Sequence, residues 1–282
     1  MTSLAATALQ QRDIRLAFFD IDGTLLGLDG NYTRRVKNAI LNVRRAGIKT
    51  AVASGRPLFA ADFLVDELQL KDAGLFYTGA LIFDPSQQKT LELHPLEKGL
   101  VTSLIVEARK AGVYTEVCGR DRFFVEGWND LGKLHSEHLR AVPEQVSFDN
   151  ILDKEPVIKL LFAVDNAEDQ KKLHHLEALF PDTVFAYAKM AAKPDWLFVS
   201  VIAQTACKHK GFQQLLDYHQ VTAEQVVAFG DAQSDKVFLE RAGLGVAMGN
   251  AADDVKAVAD LVTLPVWEDG VAVVLESILQ NI

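Results

Sequence analysis

Two aspartates end the apolar run in FFDIDGTLL (18–26), with only Ile21 between them. Asp20 and Asp22 are near enough in sequence to meet at one point, where two negative charges repel unless a cation joins them. Two such carboxylates can divide one reaction: one attacks as a nucleophile, and the other gives and takes a proton. A second acidic pair, Asp231 and Asp235, stands in VVAFGDAQSD. ASGRP (53–57) sets the Ser54 hydroxyl and Gly55 ahead of a helix opened by Pro57. Backbone N–H groups, a hydroxyl and a helix dipole suit a phosphate at such a turn. KHKG (208–211) offers Lys210 as an anion clamp before a glycine and a helix. Taken singly, each feature also has an ordinary reading as a surface pair, a strand-to-helix turn or a solvated lysine.

The elements around these residues alternate. RLAFF (15–19), IKTAVA (48–53), LFY (75–77), WLFVSVI (196–202), VVAF (226–229) and LGVAM (244–248) read as buried strands. Between them Val36, Ile40 and Val43 share a helix face, further helices are expected from Pro57 to Leu68, from 211 to 218 and from 234 to 241, and Val271, Val274, Leu275 and Ile278 share a face of the last. Continuous apolar strands separated by helices predict a parallel sheet covered on both faces. The middle differs: TLELH, DRFFVEG, PVIKLLFAV and TVFAYA are strands of mixed polarity, with helices near 97–111 and 167–179. The fold class expected is α/β, a Rossmann-like core with a parallel sheet and an inserted α+β domain. The core takes 1–84 and 190–282, and the insertion 85–189.

In an open parallel sheet, ligands bind beyond the carboxyl ends of the strands. Asp20 and Asp231 both stand at such ends, so three or four carboxylates converge there. Hard oxygen ligands of this kind suit Mg²⁺, which takes one or two carboxylates together with water and substrate phosphate. Gly23 permits the sharp turn after Asp20, and Thr24 can bond the loop backbone.

Composition narrows the partners. The formal charge is −9 over 282 residues, against the clustered positive surface that nucleic acid demands. No apolar run reaches membrane-spanning length. The start, MTSLAATALQQRD, lacks the basic and apolar segments of a secretory signal. The two cysteines, Cys118 and Cys207, lack metal-ligand spacing, so a reducing cytoplasm is expected. His135 and His138 read as a surface pair, Arg120 and Arg122 as a solvated strand face, Trp128 and Trp267 as packing residues, and Asn250 as a turn residue.

Together, DIDGTLL, ASGR, Lys210-Gly211 and GDAQSD resemble, in order, the motifs of the haloacid dehalogenase-like (HAD) phosphohydrolases. The closing run GLGVAMGNAADDVKAVADLVT with WEDGV is similar to the Cof-type branch, subclass IIB. Cap position agrees: 29 residues separate Thr24 from Ser54, too few for a domain, whereas the numbering advances by 154 from Arg56 to Lys210.

The resemblance implies an Mg²⁺-dependent phosphatase of small phosphorylated metabolites acting through an aspartyl-phosphate. It makes Asp20 the nucleophile and Asp22 the acid and base. Asp20, Asp22 (through its carbonyl) and Asp231 become the metal ligands, and Asp235 a supporting acid. Ile21, Ser54, Gly55, Lys210 and Ser234 fall to the phosphate. Two departures stand out: Ser234 and Thr78 occupy positions where the family usually has asparagine. The alternatives are a phosphomannomutase-like phosphotransferase and a non-catalytic ligand-binding protein on the same scaffold. Nothing in the sequence sets an oligomeric state.

Overall fold

Leu16 to Phe19 is apolar without a break and wholly buried, so this strand needs cover on both faces. The computed structural model describes residues 12–190, 193–206 and 208–280. The first stretch holds β1 (Leu16–Phe19), α1 (Arg34–Arg45), β2 (Lys49–Val52), α2 (Asp62–Glu67), β3 (Gly74–Phe76), β4 (Leu81–Asp84) and β5 (Lys89–Leu93). The middle holds α3 (Lys98–Ala111), β6 (Tyr114–Cys118), β7 (Phe123–Val125), α4 (Asp130–Leu139), β8 (Glu144–Gln145), β9 (Lys159–Val164), α5 (Gln170–Leu179), β10 (Thr183–Met190) and β11 (Lys193–Ala203). The last holds α6 (Lys208–His219), β12 (Val226–Gly230), α7 (Lys236–Arg241), β13 (Leu244–Ala247), α8 (Asp253–Lys256), β14 (Leu261–Val262) and α9 (Gly270–Leu279).

Among the described residues the chain forms two compact units, one from 12–55, 62–91 and 208–280, the other from 56–61 and 92–206. The first carries a five-stranded sheet in the order β14-β13-β12-β1-β2, parallel throughout. Leu16 and Phe18 of β1 join Phe212 and Leu215 of α6 and Phe238 of α7 in one core cluster. Phe18, Phe212 and Phe238 form an edge-on aromatic group, with Phe18 and Phe238 centroids 5.1 Å apart. Phe19, on the opposite side of the pleat, stacks on Phe229 at 5.2 Å. Helices α1 and α9 bury the residues that their spacing predicts. They are tied by the Arg35–Glu276 ion pair and by Thr33, which caps α1 and donates to Asp269. The α/β class with a parallel core sheet is thus observed.

The second unit is a six-stranded sheet in the order β10-β11-β9-β6-β7-β8, antiparallel except for β7 with β8. Its core gathers Val101, Leu104 and Ile105 of α3 and Leu173 and Leu176 of α5 against the sheet. The expectations for one strand, one histidine and one helix need correction. WLFVSVI lies in β11, antiparallel between β9 and β10, rather than in the parallel core. Leu197 and Val199 face the main cluster of this unit, while Phe198 packs with Leu131 of α4. Cover on both faces gives an antiparallel strand the same unbroken apolar run as a parallel one. His135 is buried on α4, its Nδ1 2.8 Å from the Glu116 carboxylate, which also accepts from the Tyr114 hydroxyl; it is no surface residue. The helix expected from Pro57 to Leu68 is a single turn of 3₁₀ helix (Leu58–Ala60) followed by α2. Leu58, Ala60 and Ala61 are all buried, so this turn is enclosed on more than one side and has no single apolar face.

Arg122 forms exposed ion pairs with Glu144 and Glu155, as a solvated face requires. Trp128 and Trp267 leave 40% and 65% of their surface exposed, so neither is a core residue. Cys118 is buried, and burial pushes its thiol up to about 12; Cys207 and the segment before Arg12 lie outside the described residues. No described helix is long and apolar enough to cross a membrane.

Candidate active site

Three adjacent strands set the site. Phe19 of β1 is in register with Phe229 of β12 and Val52 of β2, so Asp20, Asp231 and Ser54 follow strands that end side by side. Hydrogen bonds continue the ladder just past the strand ends: the Asp20 N–H donates to Phe229 O at 3.0 Å, Ala53 N–H to Phe19 O at 2.9 Å, and Ser54 N–H to Leu75 O at 2.9 Å. Asp20 and Ser54 are both buried.

The chain then turns sharply. The Ile21 carbonyl accepts from the N–H groups of Thr24, Leu25 and Leu26, and Gly23 donates back to Leu26. Ile21 itself is fully buried, and its apolar side chain anchors the turn. Gly23 has φ +83°, and a Cβ there would lie 2.1 Å from Asp231 Oδ2; only glycine lets the loop approach so near. Thr24, expected to bond loop backbone, instead donates from its hydroxyl to Asp231 Oδ1 at 3.1 Å.

Asp20, Asp231 and Asp235 bring a carboxylate oxygen each to within 4.8 Å of one another. Half-buried Asp22 is not one of these three. Asp235 is held by the N–H groups of Asp231 and Ala232 through Oδ2, and by Lys208 Nζ at 3.1 Å through Oδ1. Burial, and after it the charge of Asp235, raises the Asp20 carboxyl well above its ordinary range, with Lys208 opposing and Asp231 and Asp22 adding to the rise. Burial and the charge of Asp235 push Asp231 up to about 7, while hydrogen bonds from Thr24 and Asn250 pull the other way. Three crowded carboxylates, all hard oxygen donors, with Asp20 and Asp231 both raised, fit a divalent cation.

The lysine at this cluster is Lys208, not Lys210. Lys208 is buried, whereas Lys210 is exposed. The reason is helical phase: Lys208 precedes the buried Phe212 and Leu215 of α6 by four and seven residues, on the inward face. Lys210 lies about 200° further round the same turn. That spacing is visible in the sequence, whereas the Lys-Gly pair points to Lys210.

Ser234 is exposed, and its hydroxyl reaches only its neighbour Asp235, at 3.3 Å. Gly55 lies against Thr78, whose Oγ1 would be 3.2 Å from a Cβ on Gly55. Thr78 sits in a run of left-handed residues with Tyr77 and Gly79, at φ 57°. Asparagine tolerates that region better than a β-branched residue does, which gives the asparagine usual at this position a backbone reason. Asn250, read as a turn residue, donates from Nδ2 to Gly23 O at 2.9 Å and to Asp231 Oδ2 at 3.2 Å.

A family model described as haloacid dehalogenase-like hydrolase matches residues 17–275. The chain is 27% identical over 265 residues to the 5-amino-6-(5-phospho-D-ribitylamino)uracil phosphatase YitU of Bacillus subtilis, covering 91% of this chain and 94% of that one. A haloacid dehalogenase-like hydrolase from Bacteroides thetaiotaomicron superposes with a TM-score of 0.84 at 27% identity, over 94% of this chain and 99% of that one. A sugar phosphatase of HAD subclass IIB gives a TM-score of 0.79 at 26% identity, over 95% and 100% of the two chains. With its motifs, its sheet and a family match spanning nearly its whole length, this chain belongs to the haloacid dehalogenase-like hydrolases.

Proposed function

We propose that this protein is a divalent-cation-dependent phosphatase, Mg²⁺ being the natural ion, that hydrolyses small phosphorylated metabolites through a covalent phosphoryl-Asp20. The observation that carries this reading is the convergence of Asp20, Asp231 and Asp235 beside the buried Lys208. The similarity to phosphatases of a ribitylaminouracil phosphate and of sugar phosphates supports a small phosphate monoester as substrate. Asp20 attacks phosphorus in line, forming a P–O bond as the bond to the substrate oxygen breaks. Asp22 gives its proton to the departing alkoxide, then takes one from the water that attacks phosphorus and frees Asp20. Lys208, buried beside Asp235, rather than the exposed Lys210, takes the anion-clamp role. With the Ser54 hydroxyl and the Gly55 amide it holds the phosphoryl oxygens, stabilising the charge that builds there. Ser234, exposed and short, is the weakest member of the phosphate set.

Asp20, Asp231 and the Asp22 carbonyl would hold the ion, with Asp235 supporting them. When bound, the ion supplies the positive charge that keeps Asp20 ionised and offsets the charge of the phosphoryl group. In this reading the unit inserted between the halves of the parallel-sheet unit is the cap domain, and substrate choice resides in it.

The test is a phosphate-release screen over sugar, nucleotide and cofactor monoesters, with and without Mg²⁺. Cation-dependent release from at least one class is expected, and Asp20→Asn should lose it by at least a thousandfold while still folding. Phosphate release by Asp20→Asn at the wild-type rate would refute the nucleophile assignment. Transfer to a second sugar with little free phosphate would identify a phosphotransferase instead.

A further inference from the structure

Asn250 lies three residues beyond the end of β13, the strand next to β12. Its amide group touches three separated segments at once. Oδ1 accepts the Val266 N–H at 2.9 Å, while Nδ2 donates to Gly23 O at 2.9 Å and to Asp231 Oδ2 at 3.2 Å. The Val266 contact matters because it fixes which edge of the amide faces the acids: with Oδ1 engaged, the NH₂ edge must point at Gly23 and Asp231. Asp231 thus receives one neutral donor on each oxygen, Asn250 on Oδ2 and Thr24 on Oδ1. Gly23 belongs to the turn that carries Asp22, so one side chain joins that turn to the Asp231 loop.

A carboxylate among like charges has every reason to rotate away from them, and neutral donors prevent this without neutralising it. We propose that Asn250 is a positioning residue of the cation site: it holds Asp231 and the Gly23 carbonyl in the arrangement from which Asp20 and Asp231 bind a divalent ion. The assignment rests on the proposed cation-dependent phosphatase reading, but it concerns a residue that the motif comparison treats only as part of a turn. Outer partners of metal ligands commonly contribute about ten- to a hundredfold to metal affinity.

The test uses the full chain and Mg²⁺ alone, titrated by calorimetry. Asn250→Ala should bind Mg²⁺ about ten- to a hundredfold more weakly than wild type, while melting without cation within a few degrees of it. With a phosphate monoester, its activity should climb back towards wild type as Mg²⁺ is raised, with KM for the monoester little changed. Val266→Pro removes the N–H that orients the amide, together with part of a buried apolar side chain, at the first position of a short helical turn where proline is tolerated. It should weaken Mg²⁺ binding in the same direction by a smaller factor. Wild-type Mg²⁺ affinity in Asn250→Ala, with only the melting temperature lowered, overturns the proposal and leaves a turn residue. Should Asn250→Ala fail to fold, Val266→Pro decides, and an unaltered affinity there overturns the proposal equally. Failure of the wild type to release phosphate from any monoester would sink the phosphatase reading, whereas the calorimetric comparison of Asn250 variants is read without substrate.

Discussion

At the residue scale, the site turns on which groups are buried together. Lys208 and Asp235 are both almost completely buried and pair at 3.1 Å. Removing one member leaves the other charged and unpaired, a loss of about 3–5 kcal/mol in buried pairs. Lys208→Ala should therefore lower stability in a denaturant titration and cut kcat by about a hundredfold or more. Lys210→Ala should leave both within about twofold, because an exposed lysine contributes little. Equal losses in the two variants would show that neither lysine is specific to the site.

The element scale concerns how helices and turns deliver those residues. Helix α6 is pinned by Phe212, which packs edge-on against Phe238 and near Phe18, and Lys208 stands one turn before Phe212. Phe212→Ala should cost about 3–5 kcal/mol and should also lower kcat, since the helix that aims Lys208 loses its anchor. A stability loss with unchanged kcat would separate the two effects. The turn at Thr78 works in the opposite sense. A β-branched residue at φ 57° carries local strain of about 1–3 kcal/mol. Thr78→Asn should raise the melting temperature, and calorimetric scanning of the two proteins checks this. The existence of most of these elements was legible from apolar periodicity, as the faces of α1 and α9 attest. Placement and membership were not: the phase of α6 is written in its apolar spacing, but that its inward face meets the acid cluster is not, and β11 needed to be seen paired with β9 and β10.

At the scale of the whole molecule, the acid cluster links stability to pH and to the cation. The folded chain raises Asp20 and Asp231 above their ordinary values near ~4, so it binds protons more tightly than the unfolded chain does. Stability from these groups is present at low pH and is lost as pH rises through about 7, the Asp231 value. His219 runs the other way: burial lowers it, so its contribution is lost as pH falls. The informative quantity is therefore the difference with and without Mg²⁺. The rise in melting temperature on adding Mg²⁺ should be larger at pH 8 than at pH 5, and Asp231→Asn should flatten that difference. An Mg²⁺ effect independent of pH would argue against ion binding by these acids.

By itself, the sequence determined the strand–helix alternation, the order of the motifs and the positions of the acidic residues at strand ends. These depend on local periodicity and on residue type, which a linear chain displays. The tertiary structure alone decided which residues converge. It put Asp235 rather than Asp22 in the close trio with Asp20 and Asp231, Lys208 in place of Lys210, and Asn250 across the Gly23 and Asp231 loops. Such contacts join segments up to 227 residues apart. They depend on strand order and on which helix face meets which loop, and no local pattern encodes either.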